Sequence, residues 1–170
     1  MNAHNHHHIR PEQYALYHAR IIEAAEALNA QCRLEAPHVT TEASSPLCGS
    51  TIIVDLILQG DQISAWGCRL RACLLGQAST ELYRRCAIGL DDQASQAALH
   101  AMLALLAGDS QAMTRFAATV PPAAHIKASW QDFVMFAPAC NHPSRHGSIL
   151  LPFRATKQAL AKPPATSSLT

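Results

Sequence analysis

The chain has 170 residues, 49% of them apolar and only 15% charged, with a formal net charge of +1. That length fits one domain, and that composition excludes a disordered chain, a coiled coil and a collagen-like repeat. Charges of both signs are interspersed, so no basic field exists to hold nucleic acid or an anionic membrane, and no apolar stretch approaches the roughly 20 residues of a membrane span.

In chain order, Met1–Pro11 carries His4, His6, His7 and His8 without an apolar run. It reads as a disordered start rather than a secretory signal. The expected compartment is therefore the cytoplasm. There the six cysteines (Cys32, Cys48, Cys68, Cys73, Cys86 and Cys140) are thiols, ligands or nucleophiles rather than disulfides. Tyr14, Tyr17, Ile21, Ala25, Leu28 and Cys32 recur at helical spacing. They predict an amphipathic helix of about five turns, with Glu12 in its first turn and Cys32 on its apolar stripe.

Pro37–Cys48 is rich in Ser, Thr and Pro and can carry a short strand near His38–Thr41. Thr51–Leu58 is β-branched and bounded by glycines; Gly60-Asp61 marks a turn, and Gln62–Leu70 reads as the partner strand of a hairpin. Asp55, within the first of these strands, is expected on the wet face.

From Cys73 the period changes to 3.6. Leu75, Ala78, Ser79, Leu82 and Cys86 form one helical stripe that stops at Ile88-Gly89. Asp91 or Asp92 caps the next helix, whose inward residues are Ala94, Ala98, Met102, Leu105 and Leu106 and whose end is Gly108. Ser110–Ala118 predicts a short helix, broken by Val120-Pro121-Pro122. Trp130–Phe136 is apolar enough to be buried, as strand or helix. Ser148–Leu160 is the last predicted helix, with Pro152 in its first turn, where a missing N–H does little harm. Lys162–Thr170 reads as a disordered tail. The fold class expected is α+β: a small antiparallel three-stranded sheet packed against helices, in a single domain over residues 12–161.

Two cysteines stand at backbone transitions. Cys48 precedes a strand, and Cys73 opens a helix, where the exposed N–H groups favour a thiolate. His146 comes just before the last predicted helix. Three such donors at element ends could form a metal or cluster site without disturbing the core. Taken alone, isolated Cys and His residues at this spacing read more simply as structural. Cys68 is expected to pack on a sheet face and Cys86 in the core. Cys140 lies in a Pro-flanked loop close enough to His146 to swing in. Asp91 and Asp92 read as caps rather than an acid–base couple, and Arg69, Arg71 and Arg145 as a solvated face. No G-x-S-x-G, P-loop or G-x-G-x-x-G motif occurs.

Ser45-Pro46-Leu47-Cys48-Gly49-Ser50, followed by the hairpin, resembles the first cysteine loop (P-x-C-G-D) of the NifU/IscU-type iron–sulfur cluster assembly scaffolds. Cys73-Leu74-Leu75-Gly76-Gln77-Ala78-Ser79 resembles the second, in which Ala-Ser follows the Cys by five and six residues. The gap of 25 residues between Cys48 and Cys73 is similar to the family's. His146-Gly147-Ser148-Ile149-Leu150 resembles the third segment, H-C-S-I-L in one branch. The likeness runs from about Tyr14 to Leu160, although Leu90–Asn141 matches only in being helical. The departures are specific. The family's third Cys falls on Gly147, its Asp after C-G falls on Ser50, and its chaperone-binding L-P-P-V-K stretch falls on Cys140–Ser144, which does not match.

The resemblance implies a scaffold-like or carrier protein, not an enzyme. It would bind iron, an Fe–S cluster (a [2Fe–2S] cluster above all) or zinc transiently through Cys48, Cys73 and His146. A cysteine desulfurase and recipient apo-proteins are the implied partners. Cys48, in a loop beside a permissive glycine, is the favoured sulfur acceptor over Cys73, which helix packing holds still. The alternative, which the missing third Cys supports, is a zinc-bound sulfur acceptor or adaptor partner of a desulfurase that assembles no cluster.

Overall fold

The computed structural model describes residues 16–120 and 129–162. The His-rich start, Glu12, Tyr14, the Pro121-Pro122 break and the tail from 163 onward lie outside the described residues. Helix α1 spans Ala19–Ala27. Four strands follow: β1 (Gln31–Cys32), β2 (Val39–Ser45), β3 (Ser50–Gln59) and β4 (Gln62–Arg71). Then come α2 (Leu74–Cys86), α3 (Asp92–Leu106), α4 (Ala112–Thr119), a 3-10 segment over Trp130–Asn141, α5 (Pro143–Ile149) and α6 (Leu151–Leu160). Among the described residues no helix is long and apolar enough to cross a membrane.

The strands form one antiparallel sheet in the order β1-β4-β3-β2. The α+β class holds, but the sheet has four strands rather than three. The predicted first helix ends at Ala27, so Cys32 lies in β1 and not on a helical stripe. Leu28 and Cys32 continue the helical period, but the chain turns at Asn29-Ala30 and pairs with β4. The first predicted strand, near His38–Thr41, extends to Ser45.

Directly opposed residues share a face of an antiparallel sheet. The inner face therefore carries Val39, Thr41, Ile52, Val54, Leu56, Trp66, Cys68 and Leu70, all buried. Helix α6 crosses this face over β2 and β3, and the Trp66 indole N–H donates to Thr156 Oγ1 of α6 at 2.9 Å. Tyr83, Trp130, Phe133 and Phe153 form the aromatic centre between helices; Tyr83 meets Phe153 edge-on at 4.6 Å and Trp130 stacks on Phe133 at 5.4 Å. Asp91 is the cap of α3, its carboxylate accepting from Ala94 N–H at 2.7 Å, and Gly108 ends that region at φ +105°.

The outer face is open at Thr51, Ile53, Arg69 and Arg71 but closed at its other end. Asp55 was expected to be wet, and it is fully buried there. The segment after β1 straps across the outer face, because Gly67, opposite Asp55, leaves room for it. A Cβ at Gly67 would lie 2.5 Å from the Cys32 carbonyl and 2.8 Å from Leu34. Asp55 then accepts from the Arg33 guanidinium in two places, one at 2.9 Å, from Leu34 N–H at 3.1 Å and from Thr40 Oγ1 at 2.7 Å.

Two further expectations change near the end of the chain. Cys140 lies in the 3-10 segment rather than a loop, and the predicted helix Ser148–Leu160 is two helices that meet at Leu150. His146 and Ser148 thus belong to α5, and Pro152 sits in the first turn of α6.

Burial pushes the Asp55 carboxyl up, but Arg33, Thr40 and the Leu34 N–H outweigh it and hold it below the usual carboxylate value. Its stabilisation is therefore complete above the unfolded value near ~3.9 and is lost as pH falls through the lower folded value. Asp55→Ala is expected to lower stability at pH 7 by about 2–4 kcal/mol, because Arg33 and Thr40 lose their acceptor. Denaturant unfolding checks this, and in the variant the stability difference between pH 7 and pH 3 should shrink.

Candidate metal or cluster site

Ser45 ends β2 and Ser50 begins β3, and the two are opposite each other in the register. Between them Pro46-Leu47-Cys48-Gly49 makes a tight loop. The Ser45 carbonyl accepts from Gly49 N–H at 2.9 Å, and Gly49 closes the turn at φ +64°, a conformation that favours glycine. Cys48 is half-buried, while its neighbour Leu47 is 86% exposed. Cys73, also half-buried, is the N-cap residue of α2, and its carbonyl accepts the first helical bond from Gln77 N–H at 2.9 Å.

Helix α5 joins these two thiols. Ser148, fully buried, lies between them. The Cys48 thiol donates to Ser50 Oγ at 3.2 Å, the Ser50 and Ser148 hydroxyls are 3.2 Å apart, and the Cys73 thiol donates to Ser148 Oγ at 3.3 Å. The result is one hydrogen-bonded chain, Cys48–Ser50–Ser148–Cys73, drawn from a loop, a strand, a helix and a helix cap.

Small residues allow that approach. A Cβ at Gly76 of α2 would run into the Ser148 hydroxyl, and a Cβ at Gly147 would run into the Ser45 hydroxyl. Ser79 then fixes the docked end of α5 by donating to the Ile149 carbonyl at 2.7 Å. The Ala-Ser pair after Cys73 thus has a structural reason: Ala78 packs in the core and Ser79 holds α5 in place.

His146 lies on α5, half-buried, with Nε2 2.7 Å from the Ala139 carbonyl. A carbonyl can only accept, so Nε2 carries a proton, and in the neutral ring Nδ1 then keeps its lone pair. This is the outer-shell contact that fixes the tautomer of a ligating imidazole. Yet among the described residues no three His, Cys, Asp or Glu side chains form a group placed to hold a metal ion. The two thiols are brought together; His146 is not gathered with them. Cys140 is half-buried at the end of the 3-10 segment, and Cys86 is buried on α2, in the core as expected. Cys32, also expected to be buried, is half-buried. Arg69, Arg71 and Arg145 are exposed.

The sequence reading missed Ser148 and Ser45, and treated Ser50 only as a poor substitute for Asp. The usable signal was Gly147 and Gly76, two helical glycines whose positions require a close neighbour. Electrostatically, burial pushes the Cys48 thiol up, but hydrogen bonds from Ser45, Ser50 (hydroxyl and N–H) and Ser148 outweigh it, and the thiol titrates below its ordinary value. Cys48 can therefore present its sulfur more readily as thiolate, the form that binds metal and attacks other sulfur.

No family model matches the sequence, and no curated protein does. Solved structures do. The chain is similar to the N-terminal part of a nitrogen-fixing NifU-like protein from Brucella abortus, with 28% identity and a TM-score of 0.71 over 88% of this chain and 94% of that one. It is also similar in fold to a protein from Fervidobacterium islandicum described as an iron–sulfur cluster assembly scaffold for the SUF system. There the identity is 19% and the TM-score 0.70, over 86% of this chain and 98% of that one. With that likeness along most of its length, and with the segments of Cys48, Cys73 and His146 in order, the chain is similar to proteins of the NifU/IscU type.

Proposed function

We propose that the protein is an iron–sulfur cluster scaffold or carrier, which holds its cargo transiently at Cys48 and Cys73, with His146, set apart from them in this structure, drawn in as third donor, and passes it to recipient apo-proteins without turnover. The observation that carries this reading is the hydrogen-bonded chain that ties two thiols from separate elements to one point. A [2Fe–2S] cluster ordinarily takes four protein ligands, mostly thiolates. Two thiolates and an imidazole leave a position open, and zinc would likewise keep one open position on three protein donors. Such a site holds weakly, which suits hand-over. The hydroxyls of Ser50 and Ser148 lie between the sulfurs, so cargo displaces their hydrogen bonds on binding. A reducing compartment such as the cytoplasm suits six free thiols in this role.

Gly147 favours a second reading, in which the protein is a zinc-bound sulfur acceptor or adaptor for a cysteine desulfurase. In that exchange the Cys48 thiolate attacks the outer sulfur of the desulfurase persulfide. The S–S bond breaks, the desulfurase cysteine leaves as thiolate, and Cys48 carries the persulfide. Cys48 suits this because it sits beside exposed Leu47 and flexible Gly49, whereas Cys73 is locked at a helix start.

Three outcomes are expected. Anaerobic reconstitution with iron and sulfide, followed by absorbance and metal analysis, should give a cluster that Cys48→Ala or Cys73→Ala abolishes and His146→Ala weakens about tenfold or more. Full retention of cluster in the double cysteine variant would remove this function. Next, persulfide delivered by a desulfurase and mapped by mass spectrometry should fall on Cys48, and Cys48 alkylation should titrate with a midpoint below the ordinary thiol value near ~8.5, moving upward in Ser50→Ala. Persulfide on Cys73 alone would reverse the assignment. Last, Gly147→Cys should destabilise the fold through Ser45. Combined with Ser45→Ala, which removes the clashing hydroxyl, it should tighten zinc binding tenfold or more by adding a thiolate; unchanged affinity would show that position 147 does not face the site.

A further inference from the structure

A second pair of thiols lies apart from the candidate site. Cys32 of β1 and Cys68 of β4 are directly opposite each other in the antiparallel register. The Ala30 carbonyl accepts from Leu70 N–H at 2.9 Å one pair-repeat earlier. The ladder alternates, so 32–68 is again a hydrogen-bonded pair, with Cα atoms about 5.5 Å apart. That separation is the usual one for a disulfide, roughly 5.5–6 Å. Opposed side chains share a face, and the two Sγ atoms are 3.8 Å apart. Closing that gap needs only a small rotation at Cys32, which belongs to a two-residue edge strand.

The two thiols differ in access. Cys32 is half-buried and reachable from solvent; Cys68 is fully buried, and burial pushes its thiol well up. The Arg84 guanidinium of α2 is close enough to act on both. This is an accessible thiol backed by a shielded one, the arrangement in which a first oxidation product is captured before it goes further.

We propose that Cys32 and Cys68 are an oxidation site that a hydroperoxide converts to an intramolecular disulfide. The Cys32 thiolate attacks the O–O bond; an S–O bond forms, and the other oxygen leaves and is protonated to water (or to an alcohol, from an alkyl peroxide). The Cys68 sulfur then attacks the Cys32 sulfenic acid. The S–S bond forms, the S–O bond breaks, and hydroxide leaves with the Cys68 proton as water. Two thiols lose two electrons and the peroxide gains them. The new bond staples β1 to β4 and closes a loop that contains β2, β3 and Cys48, without using Cys48 or Cys73.

The test uses the full chain, reduced and then exposed to hydrogen peroxide, with remaining thiols alkylated and peptides mapped without reduction. A linked 32–68 peptide is expected, reversed by dithiothreitol, together with a rise in Tm of about 5–10 °C over the reduced protein. Cys32→Ser, a half-buried substitution that keeps the fold by circular dichroism, should remove both the linked peptide and the Tm rise. Cys32 carried to sulfinic acid while Cys68 stays a thiol would overturn the proposal. So would oxidation confined to the other four cysteines.

Discussion

The close docking of α5 against β2, β3 and α2 is the constraint on which the site depends. It is possible only because two positions lack a Cβ. Gly76 opens α2 to the Ser148 hydroxyl, and Gly147 opens α5 to Ser45. With those backbones close, Ser148 reaches both Ser50 and Cys73, and the sulfurs of two distant segments share one chain of hydrogen bonds. Ser79 adds a directional anchor at the Ile149 carbonyl. An ordinary helix–sheet contact, held off by larger side chains, would leave Cys48 and Cys73 as two unrelated thiols.

The sheet supplies the other half of the geometry. Its hairpin of β3 and β4 is fixed at one end by the Gly60 turn and midway along by the Asp55–Arg33 pair, while β2 and β3 are joined by the cysteine loop itself. Cys73 follows β4 directly, so both sulfurs sit at the same end of the sheet, where α5 arrives. The result sets one thiol at a helix cap and the other in a tight glycine loop. That contrast suits the proposed holding and release of cargo.

Much of this was legible from local pattern. β-branched residues between glycines mark β3, the change to a 3.6 period at Cys73 marks α2, and Asp91 caps α3 as its type and place suggest. The failures share one physical cause, which is that the deciding partner lies far away in sequence. Asp55 sits on the face that strands usually leave wet, and only Arg33 and the strap over Gly67 bury it. Cys32 fits a helical stripe, yet two residues of pairing with β4 outweigh that period. The hydroxyl chain spans 98 positions between Ser50 and Ser148, so no local motif announces it. The spacing of cysteines shows which segments carry donors; it does not show that Gly147 has given its space to Ser45.

Thiol cross-linking in the folded, reduced chain tests this geometry most directly. A short bifunctional thiol reagent, followed by peptide mapping, should link Cys48 to Cys73. Ser148→Leu, which forces α5 away from both, should abolish that link while leaving the Cys32–Cys68 neighbours close enough to react. Cys48 and Cys73 each modified singly and never bridged, in a protein whose Cys32–Cys68 pair does bridge, would contradict the central claim that α5 docking unites the two thiols.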